Sequence, residues 1–186
     1  MLLFVGLGNP SPNSENNRHN IGFKIIDAIN QKFGLSKQKP KFKGLLTTGT
    51  INGRKVYAIK PLTFMNNSGV CIRELIEYFK IEAENVIVFH DDLDIDFGKI
   101  KTKFGGSSAG HNGIESIDKF IGKDYSRVRI GIGHPKNNIE VSDHVLQDFN
   151  EDEKIELSSM TENIAKSLPI LIDKKLDLFS STVNNK

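Results

Sequence analysis

Five polar residues fall in predicted loops that follow strands, and their types suit acid–base chemistry. They are Asn9, His19, Asn66, Asp91 and Asn112. A histidine paired with an aspartate can activate water, because the imidazole takes the proton while the carboxylate orients the ring and stabilises its charged form. Side-chain amides can grip a carbonyl, orient water or bind a ribose. Each residue taken alone could equally be a turn or helix-capping residue, so ordinary loop structure is the alternative.

A second candidate nucleophile lies in residues 106–110, which match the G-x-S-x-G pattern of serine hydrolases. Ser108 would attack the substrate, and Asp143 and His144 follow downstream in the required order. Short Gly/Ser loops also match this pattern by chance, so a flexible binding loop is the other interpretation. A serine hydrolase is therefore the leading alternative enzyme.

The elements that must position these residues alternate between strand and helix. Strands are predicted for residues 2–7, 42–50, 55–60, 85–90, 99–104 and 127–132, and helices for residues 20–33, 68–79, 112–121 and a last stretch from about Asn150. Asn52-Gly53 predicts a tight hairpin turn. Ser68 is predicted to cap a helix, and Pro169 should bend or divide the last one. The pattern predicts a single three-layer α/β domain over residues 1–186, with a mixed, mostly parallel twisted sheet flanked by helices.

Several cofactor and metal motifs are excluded by single positions. Ser11 replaces the third glycine of a dinucleotide fingerprint, and His111 stands where a P-loop needs lysine. Phe97 stands where a calcium-binding loop needs glycine. The only cysteine, Cys71, lies in a helical pattern and is predicted to be a small core residue. We therefore expect no metal ion and no cofactor.

Charge is unevenly distributed along the chain. Residues 31–73 contain nine basic and no acidic residues, whereas the rest contains 16 basic and 23 acidic residues, so +9 and −7 give the net charge of +2. This asymmetry indicates either a basic face for an anionic partner or a solvated surface whose acids lie elsewhere in the fold. The N-terminus lacks the pattern of a signal peptide, and no apolar run approaches the roughly 18 residues of a membrane helix. We expect a cytoplasmic protein without membrane association.

Seven stretches, in order, resemble the bacterial-type peptidyl-tRNA hydrolase family. They are VGLGNP (5–10), RHNIGF (18–23), FMNNSG (64–69), HDDLD (90–94), KTKFGG (101–106), GHNG (110–113) and RIGIGHP (129–135). The C-terminal third is similar only in general character. The resemblance implies a single α/β domain that hydrolyses the ester between a peptide and the 3′-terminal ribose of tRNA, without metal or cofactor.

The resemblance also implies roles for individual residues. His19 would be the general base, and Asp91 would orient it. Substrate and water would be positioned by Asn9, Met65, Asn66 and Asn112, with Met65 on the peptide side. Phosphates of the tRNA would be contacted by Lys101 and Lys103, with help from Arg127 or Arg129. The partner would be peptidyl-tRNA, and we expect a monomer with no obligate protein partner.

Three positions depart from the family pattern. The family usually has glycine after Asn-Pro and often tyrosine a few residues later, where this chain has Ser11 and Ser14. Ala109 replaces a glycine, so the backbone there should approach the substrate less closely. We expect these changes to affect the grip on peptide and tRNA rather than the ester chemistry. An RNA-binding module without chemistry is the non-enzymatic alternative, and the His19–Asp91 pair argues against it.

Overall fold

The computed structural model describes residues 1–186 and contains seven strands and six α-helices. The strands are β1 (Leu2–Gly6), β2 (Lys39–Lys41), β3 (Gly44–Ile51), β4 (Arg54–Pro61), β5 (Val86–Asp92), β6 (Ile100–Phe104) and β7 (Ser126–Gly131). The helices are α1 (Ile21–Phe33), α2 (Ser68–Phe79), α3 (Asn112–Ile121), α4 (Val141–Val145), α5 (Glu151–Ile172) and α6 (Leu176–Asn184). None of these helices combines the length and apolar character needed to span a membrane.

The strands form one sheet in the order β2-β3-β4-β1-β5-β7-β6. The four neighbouring strands β4, β1, β5 and β7 are parallel. Antiparallel pairings join β2, β3 and β4 on one side and add β6 to β7 on the other. The predicted fold class, a mixed and mostly parallel sheet flanked by helices, is confirmed.

Two hydrophobic cores cover the two faces of the sheet. Every residue of β1 is buried, and successive side chains enter opposite cores because a strand has a period of two. Leu2 and Phe4 pack with α1, α5 and α6, whereas Leu3 and Val5 pack with α2 and α3. This arrangement explains why β1 reads as a continuous apolar run rather than an alternating one. Cys71 belongs to the second core, where burial raises the pKa of its thiol to about 12, as suits the predicted core residue.

Local signals explain most element boundaries. Asn52 and Gly53 have φ values of 51° and 77°, which make the predicted tight turn between β3 and β4. At the start of α5 the Glu153 amide donates to Asn150 Oδ1 at 2.8 Å, and the Asn150 amide donates to Glu153 Oε1 at 3.0 Å. This reciprocal capping box satisfies two amides that the helix itself leaves unpaired.

One local prediction was wrong, and another was wrong in part. Ser68 is the first residue of α2 rather than its cap, because Asn67 occupies the N-cap position and the Ser68 hydroxyl donates to the Met65 carbonyl at 2.7 Å. Pro169 does not divide α5, which continues to Ile172. Because Pro169 lies in the last turn of α5, its missing N–H leaves most of the helical hydrogen bonds intact.

A close approach between α1 and the sheet positions the functional end of the domain. A Cβ atom at Gly22 would lie 2.3 Å from the Leu7 amide nitrogen and 2.6 Å from the Phe89 carbonyl oxygen. Only glycine therefore lets α1 begin against the ends of β1 and β5. The residues just before α1, which include His19, are thereby brought beside Asp91 on β5.

Candidate active site

Asp91 is the centre of a buried polar cluster at the end of β5. The residue is only 2% exposed, and its two carboxylate oxygens lie 2.9 and 2.8 Å from His19 Nδ1. Its Oδ1 atom also lies 2.8 Å from His111 Nε2. Burial alone would raise the pKa of Asp91, but the electrostatic interaction with His19 and His111 and the hydrogen bonds from both rings outweigh it and hold that pKa below its usual range. Asp91 is therefore a carboxylate.

His19 lies in a 3₁₀ turn, Arg18–Asn20, which we call the catalytic turn. The Asn20 side chain locks this turn to the loop after β1, because it donates to the Asn9 carbonyl and accepts from the Asn9 amide, both at 2.8 Å. Since His19 Nδ1 faces the carboxylate of Asp91, its proton is on Nδ1. His19 Nε2 is then the nitrogen that remains available as a base.

His111 is the residue that sequence reasoning missed. Its Nδ1 accepts the Gly113 and Ile114 amides at 3.1 and 3.3 Å, so the ring caps α3. Nε2 must then carry the proton, which it donates to Asp91. The GHNG stretch places His111 before a predicted helix. No local signal indicates that its ring contacts Asp91, which lies 20 residues earlier on β5.

His19, Asp91 and His111 also form a group whose ligand atoms all lie within 4.8 Å of one another, close enough to hold a metal ion. The donor chemistry disfavours that use. An ion on His111 Nε2 would displace its proton while Nδ1 still accepts two amide bonds. The ring would have to become an imidazolate or release the α3 cap. The cluster is better matched to protons than to a metal.

The predicted amide residues lie in the loops that follow β1 and β4 and at the start of α3. Asn9 Oδ1 accepts the Met65 amide at 2.8 Å, so the loops after β1 and β4 are joined. Met65 is buried, and Asn66 and Asn112 are exposed and free to contact a ligand. Phe64 has a φ of 60°, a strained value for a residue other than glycine, and strain of this kind clusters at functional sites.

A cavity of about 400 Å³ opens beside the catalytic residues. His19, Asp91, His111 and Asn112 give it a polar end, and Leu93, Val141 and Val145 line an apolar part. A smaller cavity of about 70 Å³ adjoins it and is lined by Lys103, Arg129 and Ser108 among others. The predicted residues Asn9, Met65 and Asn66 lie outside both linings. The arrangement combines an oriented imidazole base with room for an acyl or nucleotide group and a cationic margin.

Comparison with known proteins identifies the family. The family model described as peptidyl-tRNA hydrolase matches residues 3–186. The chain belongs to the peptidyl-tRNA hydrolase family. The peptidyl-tRNA hydrolase of Pelagibacter ubique is 81% identical over 186 residues and is covered over 100% of both chains. That of Gluconobacter oxydans is 44% identical over 184 residues, which are 98% of this chain and 97% of the relative.

A solved structure agrees with this membership. The crystal structure of peptidyl-tRNA hydrolase from Acinetobacter baumannii matches with a TM-score of 0.91 at 34% identity, over 99% of this chain and 94% of that one. The predicted family and the predicted enzyme class, a hydrolase, are confirmed.

Among the basic residues predicted to bind tRNA, Arg127 is the one whose side chain is most engaged within the chain itself. It is 2% exposed, and its guanidinium donates to the Ser107 carbonyl at 2.7 Å, to the Gly106 carbonyl at 3.1 Å and to Asp118 at 2.9 Å. As placed, it anchors the glycine-rich loop, and it also lines the smaller cavity, so its contact with tRNA stays a prediction. Lys101 and Lys103 are exposed on β6. Arg129 is partly exposed, and its Nε donates to Asp92 at 2.8 Å.

The serine-hydrolase interpretation fails on geometry. Ser108 lies in an irregular loop between β6 and α3, and its carbonyl accepts the His111 amide at 3.0 Å. His144 Nε2 faces the Gly133 carbonyl at 3.0 Å, and Asp143 is exposed. No hydrogen bond links these three side chains, so the match to G-x-S-x-G is coincidental.

The structure also locates the departures from the family pattern. Ala109 has a φ of 49°, so the chain adopts a left-handed conformation there although the residue carries a Cβ. Ser14 is buried in the 3₁₀ turn Pro12–Ser14. The acid-free segment 31–73 is partly neutralised by residues outside it, through Lys43–Glu74 and Lys60–Asp27. The solvated-surface interpretation therefore holds for part of that segment.

Proposed function

We propose that this hydrolase cleaves the ester joining a peptide, or an N-blocked amino acid, to the 3′-terminal ribose of tRNA, and so recycles peptidyl-tRNA released from ribosomes. One observation carries the proposal: His19 is held through Nδ1 by buried Asp91, and both line a cavity large enough for a substrate group. Family membership supports the choice of ester, because the relatives are named for it.

In the proposed reaction His19 Nε2 removes a proton from water while the water oxygen attacks the ester carbonyl. Asp91 stabilises the imidazolium, and the His111 hydrogen bond holds the carboxylate in place. The amides of Asn66 and Asn112 would donate to the oxyanion of the tetrahedral intermediate. When that intermediate collapses, the ribose 3′-oxygen leaves with the proton from His19. The products are a peptide acid and tRNA with a free 3′-hydroxyl group.

The RNA would be held mainly through charge. Lys101 and Lys103 alternate with Thr102 on the edge strand β6, so both side chains lie on one face of the sheet. Arg129 adds a third cation at the smaller cavity. Phosphate contacts of this kind supply affinity through the release of counterions. No step in this scheme requires a metal ion or cofactor.

The test uses purified protein and an N-acetylated aminoacyl-tRNA, with release of the acyl group followed over time. We expect catalytic turnover with the wild type and none above background with His19→Ala. Retained activity on a minimal acyl-nucleotide after chelation of divalent ions would support the metal-free scheme. A wild-type protein that releases no acyl group from either substrate would refute the proposed function.

A further inference from the structure

Arg18, the residue immediately before His19, has a buried guanidinium group that holds a different part of the chain. Its Nη2 donates to Glu153 at 3.0 Å. Its Nη1 lies 3.4, 3.3 and 3.2 Å from three backbone carbonyls, those of His144, Gln147 and Asp148. A single side chain therefore ties the catalytic turn to the segment that follows α4 and to the first turn of α5.

Backbone hydrogen bonds reinforce this connection. The Arg18 amide donates to the Gln147 carbonyl at 3.0 Å, and the Phe149 amide donates to the Asn16 carbonyl at 3.2 Å. Asn17 and Asp148 form an isolated antiparallel bridge between these two segments. Any displacement of residues 147–149 would therefore be transmitted to the turn that carries His19.

The helix α4, which comes just before residues 147–149, forms one side of the cavity. Val141, Ser142 and Val145 of α4 line the same cavity as His19, and we call these residues the α4 wall. α4 has only five residues, too few to be stable as an isolated helix. Val141 is 45% exposed, whereas Val145 packs against the core and His144 Nε2 faces the Gly133 carbonyl at 3.0 Å. The polar attachments at the carboxyl end of α4 add to these few contacts in fixing the wall.

We infer that Arg18 is a positioning residue that sets the distance between His19 and the α4 wall. Lysine cannot replace it fully, since one ammonium group on a flexible stem cannot reach Glu153 and several carbonyls at once as a planar guanidinium does. The inference rests on the proposed function where it is tested by ester cleavage, but not where it is tested by hydrogen exchange. Arg18 contacts no part of the cavity that the substrate would occupy and so acts through the residues that it holds.

The kinetic test compares Arg18→Met and Arg18→Lys with Arg54→Met. Arg54 is the control for loss of an arginine elsewhere: it is exposed, and its guanidinium donates to a backbone carbonyl at a helix end, that of Ile172 at 3.4 Å, at the opposite end of the sheet. Well below the melting temperature, we expect kcat/KM of Arg18→Met to fall about 10- to 100-fold, with KM raised and kcat lowered, because displacements of about 1 Å cost that much. Arg18→Lys should be intermediate, and Arg54→Met should stay within about twofold of the wild type.

Hydrogen exchange supplies a readout that needs no activity. In Arg18→Met the amides of residues 18 and 149 should exchange faster while those of α3 stay protected, and in Arg54→Met all of them should remain protected. If Arg18→Met does not fold, Glu153→Gln loosens the same tether, while its amide oxygen can still accept the Asn150 amide. We expect Glu153→Gln to show the same changes at smaller amplitude.

Two results would overturn the role of Arg18. One is a folded Arg18→Met with wild-type kinetics and wild-type exchange at residues 18 and 149. The other is an equal loss of kcat/KM in Arg54→Met, which would indicate general destabilisation. A wild type that cleaves no ester would remove the proposed function, whereas the exchange data would still decide whether Arg18 holds the catalytic turn to the α4 wall.

Discussion

A buried arginine anchors the chain on each side of the cavity, but the hydrogen bonds of the two arginines differ in length. Residues 105–111, which we call the loop wall, are anchored by buried Arg127, whose contacts to Ser107, Gly106 and Asp118 measure 2.7, 3.1 and 2.9 Å. The α4 wall is anchored by Arg18, whose Nη1 has only two hydrogens for three carbonyls at 3.2 to 3.4 Å. Hydrogen bonds weaken as they lengthen, so the carbonyl contacts of Arg18 are individually weaker than those of Arg127. The bond to Glu153 and two backbone hydrogen bonds reinforce the attachment of Arg18.

This difference indicates a division of labour. The loop wall runs directly into His111, which bonds Asp91, so its position is coupled to the proton-transfer cluster. The α4 wall contributes apolar side chains and has no direct bond to that cluster. It is connected to His19 through the contacts of Arg18, the residue next to His19.

The prediction with the largest expected effect tests whether a residue in either wall is catalytic. A serine mechanism would need Ser108 of the loop wall and His144 beside the α4 wall to act together, whereas our mechanism needs only His19 between them. We expect His19→Ala to lower kcat by at least 10²–10⁴-fold, the usual cost of losing a general base, with tRNA binding largely kept. Ser108→Ala should change kcat by less than about fivefold.

Acyl release from one N-acetylated aminoacyl-tRNA, with binding measured separately, checks this prediction. Asp91→Asn is a useful intermediate variant, because an amide cannot stabilise the imidazolium as a carboxylate does. An inactive Ser108→Ala beside a nearly normal His19→Ala, or an acyl group trapped on Ser108, would reverse the assignment.

The next prediction concerns stability and contrasts the two anchors directly. Arg127→Met leaves Asp118, whose side chain is only 11% exposed, without its cation, which should lower the free energy of unfolding by about 3 kcal/mol. Arg18→Met should cost about half as much, because its partner Glu153 is 19% exposed and can be solvated. Urea unfolding of both variants measures the difference. In the double variant Arg127→Met/Asp118→Leu part of the loss should be recovered, and equal losses in the two single variants would contradict the contrast between the anchors.

The fate of Arg127 shows where sequence reasoning reaches its limit. The hairpin at Asn52-Gly53 and the capping box at Asn150 are local, so neighbouring residues suffice to predict them. His19 and Asp91 were found because polar residues that follow strands converge at one end of a sheet. The resemblance implied that Arg127 or Arg129 helps to contact tRNA phosphates, and only the folding of the loop wall over β7 buries Arg127. His111 was missed for the same reason, since its partner lies on a distant strand.

A third prediction concerns the pH dependence of stability beneath the loop wall. His90 is buried, its Nδ1 lies 2.7 Å from the Asp91 carbonyl, and burial lowers its pKa to about 3. Between that value and the ordinary pKa of about 6.5, the unfolded chain binds a proton that the folded chain does not. Stability should therefore fall as pH drops from 6.5 to 5, with a contribution from His90 of up to about 1.4 kcal/mol per pH unit.

Unfolding free energies at several pH values in this window test the effect. His90→Phe should flatten the slope. Parallel slopes for the wild type and His90→Phe would mean that His90 takes up its proton in the folded protein as readily as in the unfolded chain.

The prediction with the smallest expected effect tests which of the two walls lies next to the RNA. Lys103 lies beside the loop wall at the smaller cavity, whereas Lys136 is exposed near the α4 wall. If the RNA backbone follows the loop wall, Lys103→Ala should weaken tRNA binding a few-fold and reduce the slope of log K against log salt by about one, because one phosphate contact is lost. Lys136→Ala changes the net charge equally, so long-range electrostatics alone would affect both variants alike. Binding of uncharged tRNA across a salt series separates these cases. Equal slopes in the two variants would place the phosphates away from the loop wall. A larger change in Lys136→Ala would place the RNA on the side of the α4 wall.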